Sequence, residues 1–127
     1  MKKYLILFLI LLSNILFAYK LEIHNFQKME NGITSIIDRN GEYGMMIKLK
    51  TTIKELRFHS GLDPIKADLD VDGWNVFLSY TDDYIEVHSD DYGMVEYNIV
   101  KHRIQEQEVW ECDLKIVPEL VELEINS

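Results

Sequence analysis

The chain has 127 residues, with 13 lysines and arginines against 22 aspartates and glutamates, for a formal charge of −9. That length suits one domain, and so acidic a surface argues against nucleic acid or anionic lipid as a partner. Cys112 is the one cysteine, so no internal disulfide is expected. Its simplest reading is a small buried hydrophobe on a strand.

The first element is an export signal. Met1-Lys2-Lys3 supplies positive charge, residues 4–12 (YLILFLILL) are apolar, and Ile15-Leu16-Phe17-Ala18 ends on a small residue. That layout predicts a secretory signal peptide over 1–18, cleaved after Ala18, and a bacterial protein exported to the periplasm or beyond. The rival reading is an uncleaved anchor, but the apolar stretch is shorter than the ~20 residues that span a bilayer comfortably. Cleavage would leave residues 19–127 as the domain, with no membrane attachment. Without Lys2 and Lys3 it carries 11 basic residues against 22 acidic ones, so its charge is −11.

Beyond the signal, apolar residues alternate with polar ones, and turn residues break the pattern roughly every eight to twelve positions. An all-β fold is expected: an antiparallel meander of about 8–10 strands forming a β-sandwich or a small barrel. Residues 21–26 make an early strand. Asn40-Gly41 then joins 33–38 to 44–50 with Arg39 opposite Glu42, and Thr51-Thr52 joins that strand to 53–59, setting Met45 with Phe58 and Ile47 with Leu56. Residues 60–64 form an irregular connection where a meander would change layers.

The remaining strands follow as hairpins. A turn at Asp72-Gly73 pairs Val71 with Trp74 and Leu69 with Val76. One at Asp82-Asp83 pairs Leu78 with Val87, and one at Asp91-Tyr92-Gly93, with a left-handed glycine, pairs Ser89 with Val95. A last turn at Glu106-Gln107 brings Ile99 to Leu114. Pro118 fits an edge or corner, and residues 120–125 close the series. All four turns keep one apolar face, which a slip of one residue would destroy.

DLDVDGW (68–74) begins like a calcium loop, with alternate aspartates and a glycine. Position twelve of such a loop needs a bidentate glutamate, and here it is Ser79. The stretch therefore reads as a hairpin. In the hairpin register the polar face gathers Asp68, Asp70, Phe77, Glu86, His88, Asp90 and Glu96, the expected surface for a protein partner, with Phe77 as its aromatic anchor. Within it, Asp70, Asn75 and Asp90 are candidate ligands for calcium. The plain alternative is a solvated sheet face.

No catalytic pattern stands out. The serines lie in no Gly-x-Ser-x-Gly context, and the four histidines lack a compact metal spacing. The expectation is a small exported, non-catalytic β domain that binds a basic protein as inhibitor or adaptor, or supports the envelope. Two alternatives accompany it: a divalent-cation domain, and a hollow barrel that carries a small apolar ligand.

Overall fold

Period-two alternation decides the layers. In MMIKLK the residues at 45, 47 and 49 are buried and those between are not; YIEVHS repeats the pattern, and GWNVFL does so from Val76 to Leu78. Successive side chains on a strand point to opposite faces, so each of these segments covers one side of a core.

The computed structural model describes residues 15–122, with side chains described from 18 to 119. The strands are β1 (Ile15–Ile33), β2 (Met45–Lys50), β3 (Arg57–Ser60), β4 (Lys66–Asp70), β5 (Gly73–Leu78), β6 (Tyr84–Ser89), β7 (Gly93–Asn98) and β8 (Glu108–Glu122). They form a five-stranded sheet in the order β1-β8-β2-β5-β4 and a three-stranded sheet in the order β3-β6-β7. The fold is a β-sandwich, not a barrel. Of the expected signal segment, residues 1–14 lie outside the described residues, and 15–18 begin β1. The last expected strand, 120–125, reaches β8 and passes outside the described residues after 122.

The core lies between the sheets. Met45, Ile47, Leu49, Val76, Leu78 and Cys112 from the larger sheet meet Ile85 and Val87 from the smaller one, with Ile99 beside them. Phe58 packs edge-on against Trp74 at 5.4 Å. One side is closed by β1, whose Phe26 ring lies 4.8 Å from Tyr97 and 5.4 Å from Trp110. Tyr97 Oη lies 2.8 Å from His102 Nε2 in the same cluster. Burial, and then Lys101, lowers the His102 pKa below its usual value.

Two of the expected hairpins form, each with its ladder partners shifted by two residues and its turn by one. In β4–β5 the partners are Leu69 with Trp74 and Asp70 with Gly73, so the turn is Val71-Asp72 and the glycine belongs to the ladder. Gly73 also pairs with Lys50 of β2. A Cβ there would lie 2.0 Å from the Leu49 carbonyl oxygen, so the glycine serves a close backbone approach. In β6–β7, Ser89 pairs with Gly93 and the loop is Asp90-Asp91-Tyr92. Ser89 Oγ accepts the Asp91 and Tyr92 N–H groups, both at 3.3 Å, and fixes the loop one position earlier than expected. Gly93, at φ 80°, is left-handed as expected.

Three other expected pairings give way to crossovers between sheets. After β5 the chain turns through Asp82, whose N–H donates to Ser79 O and whose Oδ1 accepts the Leu62 N–H at 3.2 Å. That corner sends β6 into the other sheet, because β5 already has β2 and β4 on its two edges. Met45 faces Leu78, not Phe58, and Phe58 faces Val87. At the end, β8 pairs antiparallel with β1 and parallel with β2, so Ile99 and Leu114 are not ladder partners. Residues 33–38 give only an isolated bridge, Ile37 to Tyr43, with Asp38 opposite Glu42 across a turn containing Gly41 at φ 78°.

Cys112 is buried in the core as the sequence suggested. Burial pushes its thiol up to about 12, helped by the carboxylates of Asp113 and Glu111. The thiolate is the reactive form, so iodoacetamide at neutral pH is expected to label Cys112 only as fast as the domain opens. Labelling of the folded protein at the rate of a free thiol would contradict this placement. Because the folded pKa is the higher, the thiol's contribution to stability is complete below the unfolded value and fades as pH rises from about 9 towards 12.

Candidate functional site

The sandwich divides the expected contact residues between two opposite faces. Asp68, Asp70, Asn75 and Phe77 stand on the outer face of the five-stranded sheet, opposite the buried Val76 and Leu78. Glu86, His88 and Glu96 stand on the outer face of the three-stranded sheet, where His59, Glu86 and Glu96 form one cross-strand row. Asp90 follows at the β6–β7 loop.

The larger outer face is not an unbalanced acidic surface. Lys66 Nζ lies 3.1 Å from Asp68 and 4.9 Å from the centre of the Phe77 ring. Lys50 lies 3.2 Å from Glu111. The Gln27 amide, and then Lys50, hold the Glu111 carboxyl below the usual carboxylate range. Phe77 is thus covered by a lysine of its own sheet. These exposed pairs contribute little stability individually, but they leave few free charges on this face.

The proposed calcium ligands are not assembled. Asn75 donates to Asp70 at 3.4 Å, whereas Asp90 is engaged by Arg57 at 2.8 Å on the other sheet. Among the described residues no cluster of three or more histidine, cysteine, aspartate or glutamate side chains is placed to hold a metal ion.

A concentration of exposed apolar side chains lies at one end of the sandwich. Val71, at the β4–β5 tip, is 96% exposed, its neighbour Leu69 is 50% exposed and Ile116 of β8 is 38% exposed. They border an open cleft of about 590 Å³ between residues 51–54, the 69–72 tip, and Leu114 and Ile116. A second cleft, of about 390 Å³, adjoins it across Thr52, Ile53, Lys54 and Ile116 and is bordered by residues 89–92. Carboxylates line both: Asp70 and Asp72 in the first, Glu55, Asp90 and Asp91 in the second. Lys54 is the basic residue lining them.

This end is held in place. Asp70 Oδ1 accepts the Val71 N–H at 2.7 Å, and Asp72 O accepts the Thr51 N–H at 3.1 Å, which ties the tip to the connection after β2. The Trp74 indole donates to Ile53 O at 3.0 Å and holds that connection from below. The cleft walls are therefore set by backbone and core contacts, so an incoming ligand need not order them.

No family model, curated protein or solved structure matches this chain.

Of the residues singled out from sequence, Asp70 and Asp90 border the paired clefts; the others stand on the outer faces. Sequence reasoning placed Val71, Leu69 and Ile116 on the inner face; Leu69 and Ile116 do share the face of Trp74 and Leu114 but lie at its open end, and Val71 falls in the turn. One signal was available: an aliphatic residue between two aspartates, with a glycine two positions on, is poorly suited to a strand interior and well placed at a turn.

Proposed function

We propose that this chain is an exported, non-catalytic binding domain whose partner is a basic protein carrying exposed apolar side chains, with the paired clefts as the contact. One observation carries the reading. Val71 is 96% exposed at a tip held by the Asp70 carboxylate and by the Thr51–Asp72 backbone bond, beside Leu69 and Ile116 and flanked by Asp70 and Asp72. Apolar residues rimmed by polar ones mark interaction surfaces, and a rigid tip keeps the entropy of binding low. Export is inferred from the layout of residues 1–18 and the acidic charge from composition; both agree with a cationic partner outside the cytoplasm.

A labelled peptide alternating arginine with valine serves as the probe, followed by fluorescence anisotropy. Raising salt from ~0.05 M to ~0.5 M shortens the screening length severalfold and is expected to weaken binding at least tenfold. Val71→Ser, at an exposed position with no role in the core, is expected to weaken it about tenfold, or ~1.4 kcal/mol, with unchanged thermal stability. Equal binding of an uncharged peptide with the same valines, or indifference to Val71→Ser, would contradict the reading.

A further inference from the structure

The larger sheet has an unfinished row beside this cleft. The ladder between β2 and β8 runs from Met46–Val109 to Lys50–Asp113 and stops there. After Lys50 the chain leaves for β3 in the other sheet, while β8 continues to Glu122 with β1 as its partner. From Leu114 onward the edge of β8 that faced β2 has no strand beside it among the described residues. Pro118 has no N–H, so it interrupts the donors of that edge. Residues 114–117 remain, an open length of about 13 Å at ~3.3 Å per residue. The cleft at the β4–β5 tip borders this edge, since Leu114 and Ile116 line it.

The geometry points to strand addition: an extended cationic segment of the partner pairs with β8 at residues 114–117, in the row that β2 vacates. This inference rests on the binding role proposed above and specifies how the partner is held. A strand offers its two faces to different surroundings. Inward side chains of the added segment would meet Leu114, Ile116 and Ile53, so they must be apolar. Along its side run the carboxylates of Asp70 and Asp72, against the single ammonium of Lys54, which favours arginine or lysine at alternate positions. Main-chain hydrogen bonds to β8 would supply affinity, and the alternating side chains specificity.

Two N-methylated forms of the arginine–valine peptide test this. In a strand, the N–H groups of alternate residues point to the same side. One form carries methyl groups on the odd-numbered nitrogens and the other on the even-numbered ones. Strand addition predicts that one form loses at least tenfold in affinity while the other binds like the parent. Hydrogen exchange is then expected to slow at the Ile116 amide, which shares the open edge with Pro118, when the parent peptide is bound, while Lys115 and Val117, turned towards β1, stay unchanged. If both methylated forms bind like the parent, or both lose affinity equally, strand addition is overturned and docking at the clefts still stands. If the parent does not bind at all, both readings fall. A dimer of this chain that dissociates on adding peptide would place a second copy in the vacant row and overturn the assignment to a partner.

Discussion

Gly73→Ala is expected to destabilise the domain by about 4 kcal/mol or more, in the range where single substitutions point to a specific structural fault. Two effects combine at this residue. Its φ of 145° lies where L side chains rarely go. An added Cβ would also fall 2.0 Å from Leu49 O and 2.9 Å from Thr51 N, both backbone atoms. Neither can retreat without opening the Lys50–Gly73 rung that joins β2 to β5 in the middle of the larger sheet. For a domain near this size the midpoint of a thermal melt should fall by roughly 15 °C. Gly41→Ala is the control. Its φ is 78° but a Cβ there meets nothing within 4 Å, so it should lose only the left-handed penalty of ~1–2 kcal/mol. Equal losses in urea melts of the two variants would mean that Gly73 is needed for its backbone angle alone.

Leu78→Ala is expected to cost about 3–5 kcal/mol, the range for removing a large aliphatic side chain from a core that cannot collapse around the gap. Leu78 has no exposed surface, and its ladder partner Met45 is equally buried. Phe77→Ala, one residue away, should cost about 1 kcal/mol or less, because that ring lies on the outer face with Lys66 above it. The contrast reads the strand's alternation directly from stability. A Phe77→Ala loss as large as that of Leu78→Ala would show that something covers the outer face of the larger sheet.

These two neighbours also show what was legible in the sequence. Trp74, Val76 and Leu78 belong on one face by alternation alone, and so do Ile85, Val87 and Ser89; the structure keeps them there. Alternation does not name the neighbouring strand. Leu78 faces the core whether its strand pairs with β6, as a meander requires, or with β2, as it does. A crossover between sheets preserves the apolar face as well as a hairpin does, so agreement among faces could not separate them. The parallel pairing of β2 with β8 leaves no local trace, since its partners are more than sixty residues apart in sequence and are brought together by the passage through the smaller sheet.

The same limit governs the site. Asp68 and Phe77 looked like a free contact surface because the expected register, two residues out, did not set Lys66 opposite Phe77, where it stands and reaches both. Asp70 and Asp90 looked close because β5 and β6 were expected to be adjacent, and they are held instead by Asn75 and Arg57. Val71 looked buried because its turn was placed one position late, with Gly73 as a turn residue. Once the glycine is needed by the close approach of β2, the tip moves to Val71-Asp72 and the valine is driven into solvent.

The most direct test of the binding role is amide chemical-shift mapping of residues 19–127 with the arginine–valine peptide. Docking at the clefts predicts that Ile53, Leu69, Val71 and Ile116 shift together and saturably, while Phe77, Glu86 and Glu96 on the outer faces stay in place. Shifts confined to those outer faces, or none at a peptide excess, would contradict it.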